Sequence, residues 1–164
     1  VRKRELRDGT PYGRWLDQGY LEISSLLPDV VDYEDIEARL EWGAQLFELR
    51  EICFDPWNSR QISASLVTKG YICVEIRQGF ATLSETSKKL LELVVSGKLH
   101  HGAHPIMRWN ASCLTTRENN DNLMFTKPER SRSSSRIDGI AATVNAMVRA
   151  IVSQPPPTGI IEYW

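Results

Sequence analysis

Two short acidic segments, Phe54-Asp55-Pro56-Trp57-Asn58 and Arg136-Ile137-Asp138-Gly139, hold the side chains best suited to chemistry in this chain. Asp55 closes an apolar run, Glu51-Ile52-Cys53-Phe54, that reads as a short buried strand. Asp138 opens an apolar helix that runs from Ile140 to Val148. Two carboxylates distant in sequence but able to meet at one edge of a sheet are what a divalent-metal phosphodiesterase needs. Mg²⁺ and Mn²⁺ prefer hard oxygen ligands, which His and Cys do not supply. A pair of such ions roughly 3.5–4 Å apart activates a water and stabilises charge on the leaving oxygen. The plainer alternative is that Asp55 starts a turn before Pro56 and Asp138 caps a helix.

The loop before Asp138 is basic, with Lys127, Arg130, Arg132 and Arg136. These side chains could hold DNA phosphates in a salt-dependent, sequence-independent way. Equally, Ser131, Ser133, Ser134 and Ser135 suit a solvated loop, and Arg136 could partner an acid instead. His100, His101 and His104 raise the question of zinc. Gly102 and Pro105 break any helix there, no HExxH occurs, and the cysteines are not placed to complete a site. A place for His101 near the active edge of a strand fits better. Trp15, Trp42, Trp57 and Trp109 read as core anchors rather than base-stacking platforms.

The elements that must position these groups can be read in turn. Residues 1–10 are charged, turn-like and linker-like. Asp32 can cap a helix with Ile36, Leu40, Gly43 and Phe47 at helical spacing. A strand over 50–55, a helix from Asn58 or Ser59 that Gly70 terminates, and a strand over 71–77 form a βαβ unit, so the two strands should be parallel. Thr82-Leu83-Ser84-Glu85 has capping-box spacing before a helix with Leu90, Leu91, Val94 and Val95. Residues 105–114 read as a strand and 119–122 as a turn. The last helix starts at Asp138, and Pro155-Pro156-Pro157 stops it before a tail ending in Tyr163-Trp164.

Composition agrees with one α/β domain. The chain has 164 residues, 41% of them apolar and 25% charged, and a net charge of −1. That balance argues against coating nucleic acid by bulk charge, while a local basic patch stays open. Cys53, Cys73 and Cys113 are odd in number and lack a CxxC, which suits unpaired thiols in a reducing, cytoplasmic setting. No signal peptide or membrane-length apolar run is visible.

Taken in order, Phe54–Asn58, Arg77-Gln78-Gly79-Phe80, the stretch from Leu99 to Trp109, and Arg136–Gly139 resemble the nuclease domain of large terminase subunits from tailed bacteriophages and prophages. Pro11-Tyr12-Gly13-Arg14-Trp15 and Val31-Asp32-Tyr33 fit the same pattern. The resemblance runs over residues 11–152, between the linker-like start and a Pro-rich tail at 153–164. It implies a ribonuclease-H-like (integrase-like) mixed sheet flanked by helices. It also implies an endonuclease that cuts concatemeric viral DNA during packaging, in the cytoplasm of the bacterial host. Asp55 and Asp138 would be its catalytic metal ligands, for Mg²⁺ or Mn²⁺, in a two-metal site. Double-stranded DNA, the small terminase subunit and the portal are the implied partners. Such domains commonly have Asn where His104 stands, so that position does not require a metal ligand.

The chain departs from the family pattern in one respect. The family has a further acid on a first strand, and nothing in residues 1–30 resembles that strand. No GxxxxGK[ST] phosphate loop occurs either. The expectation is a C-terminal part of a longer protein, or a catalytically inactive prophage remnant that binds DNA or the packaging machinery. With two acids alone, metal affinity should fall. A sheet lacking its first strands leaves an edge open to pairing, so a homo-oligomer is expected. A nuclease or recombinase of another lineage on the same fold is the third reading.

Overall fold

The computed structural model describes residues 1–24, 31–128 and 135–152. Arg130, Arg132 and the tail with Pro155–Pro157 lie outside the described residues. Seven helices and four strands occur among those described, in the order α1 (Arg2–Asp8), α2 (Tyr12–Asp17), α3 (Tyr33–Leu46), β1 (Ile52–Phe54), α4 (Arg60–Thr68), β2 (Cys73–Glu75), α5 (Phe80–Val95), α6 (Pro105–Ser112), β3 (Thr115–Asn119), β4 (Asn122–Thr126) and α7 (Asp138–Ala150).

The expected βαβ unit is present. β1 and β2 are parallel, with Cys53 opposite Val74, and α4 crosses between them. Gly70, at φ +91°, ends that crossover in a conformation costly for any residue with a Cβ. β3 and β4 form a separate antiparallel hairpin around Asn120, whose left-handed backbone Asn tolerates better than most residues. Asp32 caps α3 as expected, its side chain accepting from Glu34 N.

The core is small. Ile76, Leu83, Leu90 and Val144 are buried together, with Met124, Phe125, Ile140 and Met147 packed against them. α5 contributes Leu83, Ser84, Thr86, Ser87 and Leu90, spaced to lie on one helical face against β4 and α7.

Five expectations change. Residues 105–112 form α6, a helix, where a strand was expected. Pro105 at its first turn lacks only an N–H that would have no partner there, so it starts the helix rather than excluding one. Residues 2–8 form a helix closed by Gly9 in the left-handed region, in place of a turn-like linker. α5 begins at Phe80, ahead of the capping box, with Gly79 as its N-cap. Only Leu90 of the four apolar residues expected to mark its face is buried, while Leu91, Val94 and Val95 are exposed. In α3 the buried residue is Glu37, bonded to Lys69 after α4 at 2.7 Å, whereas Ile36 and Phe47 are exposed.

Candidate active site

Asp55 follows the last residue of β1 directly. Ile76 N donates to Phe54 O at 2.8 Å, so the end of β1 is tied to the end of β2. One carboxylate oxygen of Asp55 accepts from Trp57 N at 3.0 Å, closing a turn in which Asn58 has φ 58°. The plain role of turn former is therefore real, yet the carboxylate remains exposed with acceptor capacity to spare. Asp138 is the first residue of α7 and is exposed, and the N-cap before it, Ile137, makes no side-chain capping bond.

One ion pair brings these two acids to the same end of the fold. Near the far end of α7, Arg149 Nε and Nη2 donate to Glu51 at 2.7 and 2.9 Å, and Glu51 stands just before β1. α7 packs on β1, so with Arg149 beside Glu51 the two elements run antiparallel. From Glu51 to Asp55 an extended chain advances about 13 Å. From Asp138 to Arg149 a helix advances about 16 Å. The lengths match, which leaves Asp55 and Asp138 together at the opposite end. The Arg149 guanidinium also holds the Glu51 carboxyl below its usual range, through the hydrogen bond first and charge second.

A cleft of about 330 Å³ opens between the ends of these elements. Asp55 and Lys127 line it, with Gln78, Ser87, Phe125 and Asn145. Ile137, just before α7, and Ala141 and Val144 on it also line the cleft, whereas Asp138 itself is not among the lining residues. Gln78 Nε2 donates to Ile76 O at 2.8 Å and to Asn145 Oδ1 at 3.2 Å, bridging the end of β2 to α7. The Ser87 hydroxyl is wholly buried and has no partner among the described residues. Two exposed carboxylates fit a hard divalent cation by donor chemistry. No cluster of three His, Cys, Asp or Glu that could hold a metal ion forms among the described residues.

The backbone around Asp138 is held from outside its own helix. Asn110 of α6 is buried at 3% exposure, its Nδ2 donating to Arg136 O at 3.0 Å. Its Oδ1 accepts from Gly139 N at 2.8 Å. Gly139 N is one of the amides that a helix start leaves without a partner, and Ile137 at the N-cap has no side chain to satisfy it. Asn110 does so instead. A Cβ on Gly139 would stand 2.5 Å from Met107 Sδ and 2.7 Å from Asn110 Oδ1, so glycine is required by close approach.

α6 is in turn anchored by aromatic rings. Trp109 meets Tyr12 and Trp15 of α2 at centroid distances of 6.0 and 5.4 Å. Arg136 is half-buried near this cluster. Its charge assists in lowering the Asp8 carboxyl, after the larger effects of the hydrogen bonds from Arg7 and Tyr12. The Tyr12 hydroxyl is pushed up mainly by burial. Residues 1–17 thus dock beside the Arg136–Gly139 motif.

The endonuclease-domain model of terminase large subunits matches residues 2–154. The chain belongs to that family. It is 24% identical over 157 residues to protein YmfN of Escherichia coli (strain K12), covering 96% of this chain and 34% of YmfN. It is 27% identical over 145 residues to the terminase large subunit of Enterobacteria phage HK97, covering 87% of this chain and 28% of that protein. The crystal structure of the HK97 bacteriophage large terminase superposes with a TM-score of 0.77 at 25% identity, over 91% of this chain and 31% of that one. The terminase domain described here therefore spans about a third of the length of these relatives.

Within this terminase domain, Asp55 and Lys127 line one cleft, and Asp138 follows directly on Ile137, which lines it too. Arg136 faces two ways, its carbonyl held by Asn110 and its charge near Asp8. Of the tryptophans, Trp15 is buried as expected, but Trp57 is 81% and Trp42 51% exposed, so neither of these two is a core anchor here. His101 lies on no strand edge, because α6 replaces the expected strand; it is exposed, and its carbonyl accepts from His104 N. The His104 ring packs edge-on against Tyr20 at 5.0 Å. The three thiols are free, and burial raises those of Cys53 and Cys73. Asn110, Gln78 and Asn145 were not legible as site residues. Gln78 had a signal in the Arg77–Phe80 segment, whereas Asn110 had none.

No described helix is long and apolar enough to cross a membrane.

Proposed function

We propose that this chain is the divalent-metal DNA endonuclease module of a terminase large subunit, ribonuclease-H-like in fold, which cuts concatemeric viral DNA during packaging. The observation that supports this reading is the packing of α7 on β1 with Arg149 paired to Glu51, from which Asp55 and Asp138 are inferred to lie toward one end, where Asp55 shares a cleft with Lys127. Asp55 and Asp138 hold Mg²⁺ or Mn²⁺ through carboxylate oxygens. A metal held by these carboxylates would supply the chemistry of an activated water and charge neutralisation at the leaving oxygen. Lys127 offers its ammonium to DNA phosphates at the cleft. Arg130, Arg132 and Arg136 extend that basic track in sequence. Double-stranded DNA is the substrate, the small terminase subunit and portal are partners, and the host cytoplasm is the setting. An open sheet edge offers a second copy of the chain a surface to pair with.

A second reading, an inactive module that retains DNA or motor binding, is favoured by one observation. No third acid joins the two among the described residues. Supercoiled plasmid with Mn²⁺ separates the readings. Nicking by the unmodified chain that disappears in Asp55→Ala and Asp138→Ala supports the nuclease. Retained DNA binding without nicking supports the inactive module, and nicking that survives both substitutions removes Asp55 and Asp138 from the site.

A further inference from the structure

We propose that Asn110 is a positioning residue for Asp138, holding its carboxylate where a divalent cation shared with Asp55 can bind. The inference rests on the metal reading above and deepens it.

The first ground is geometric. Asn110 bonds the carbonyl two residues before Asp138 and the amide one residue after it, at 3.0 and 2.8 Å. A single planar amide thus grips the backbone on both sides of the acid. An Asn can meet a donor and an acceptor at once in this way, which neither Ala nor Leu can.

The second ground is the helix start itself. Helix starts are the regions most prone to fray, because their first amides lack partners within the helix. Asp138 is the first residue of α7, where fraying would displace its carboxylate. A clamp from a different helix counters this. It also satisfies the Gly139 amide, so that amide makes no demand on the Asp138 carboxylate.

The third ground is the rigidity of the clamp itself. Asn110 is buried, and its neighbour Trp109 is packed against Tyr12 and Trp15. Gly139 gives the amide the room it needs, since any Cβ there would collide with Asn110 Oδ1. Residues that orient metal ligands in this manner commonly change metal affinity by about tenfold or more when removed.

The test is Mn²⁺ titration of the ¹⁵N-labelled chain, reading paramagnetic broadening of backbone amides. In the unmodified chain, broadening should centre on residues next to Asp55 and Asp138 together. In Asn110→Ala, broadening around both aspartates should need about tenfold more Mn²⁺ to reach its midpoint. Leu66→Ala, a buried substitution on α4 away from the cleft, should leave the midpoint unchanged and so control for lost stability. Should Asn110→Ala lack a dispersed spectrum, Asn110→Ser leaves a smaller void and still cannot reach both backbone groups. An Asn110 variant with the unmodified midpoint and pattern, or a Leu66→Ala midpoint shifted as far, overturns the clamp alone. An unmodified chain with no broadening at either aspartate overturns the clamp and the metal reading together.

Discussion

Gly139→Ala tests whether the backbone at Asp138 is held as tightly as the packing indicates. The new Cβ would lie 2.5 Å from Met107 Sδ and 2.7 Å from Asn110 Oδ1. Met107 Sδ belongs to a flexible side chain and can swing aside, whereas the Asn110 side-chain amide is fixed by two hydrogen bonds, one through Nδ2 and one through Oδ1. Forcing a methyl into a packed site costs about 1–3 kcal/mol. Leaving the Gly139 amide or the Asn110 amide without its partner adds about 1–3 kcal/mol. Against this, Ala is favoured over Gly inside a helix by about 1 kcal/mol. The net loss is about 3 kcal/mol at the centre of these ranges, which for a chain of this length lowers Tm by about 6–12 °C. Thermal unfolding followed by circular dichroism reads it directly. A Tm equal to the unmodified chain's, or raised by helix propensity, would refute the close seating of Asn110 against Gly139.

Other outcomes follow from neighbouring contacts. Lys127→Ala should weaken double-stranded DNA binding and reduce the slope of log affinity against log salt by about 1, measured by fluorescence anisotropy at several salt concentrations. Glu51 has its folded pKa lowered by Arg149, so its stabilising effect is present above the ordinary glutamate value of about 4.3 and fades as pH falls below it. Glu51→Gln should therefore be less stable than the unmodified chain at neutral pH, and the gap should close in acid; a pH-independent gap contradicts the pairing. Lys69, bonded to Glu37 and Glu41 at 2.7 Å, joins the end of α4 to α3. Lys69→Met should speed hydrogen exchange in residues 33–46 while leaving α7 unchanged.

Sequence pattern found those parts whose signals are local. The β1–α4–β2 unit was legible because Cys53-Phe54 and Cys73-Val74 form short apolar runs and Gly70 punctuates the crossover. The start of α7 at Asp138 was legible because an unbroken apolar helix follows it. α6 is not legible from sequence, because Pro105 signals a helix start as readily as a break, and only its neighbours decide which. The Asn110 clamp could not be read at all. Its two bonds span 26 and 29 residues, and no periodicity marks an Asn whose partners are backbone groups in another element. Likewise, the charge of Arg136 near Asp8 depends on the N-terminal helices docking back through Tyr12, Trp15 and Trp109. The two aspartates were found in sequence, but the ion pair that aligns them, Glu51 with Arg149, lies at the far ends of both elements.

Isothermal titration of the chain with Mn²⁺, beside Asp55→Asn, Asp138→Asn and the double variant, tests most directly whether these two acids form one site. Two carboxylates gripping one cation should each cost about tenfold or more in affinity when neutralised, and the double variant should lose less than the sum of the single losses. Mn²⁺ affinity that is unchanged in both single variants, or losses that simply add, would show that Asp55 and Asp138 do not share a metal.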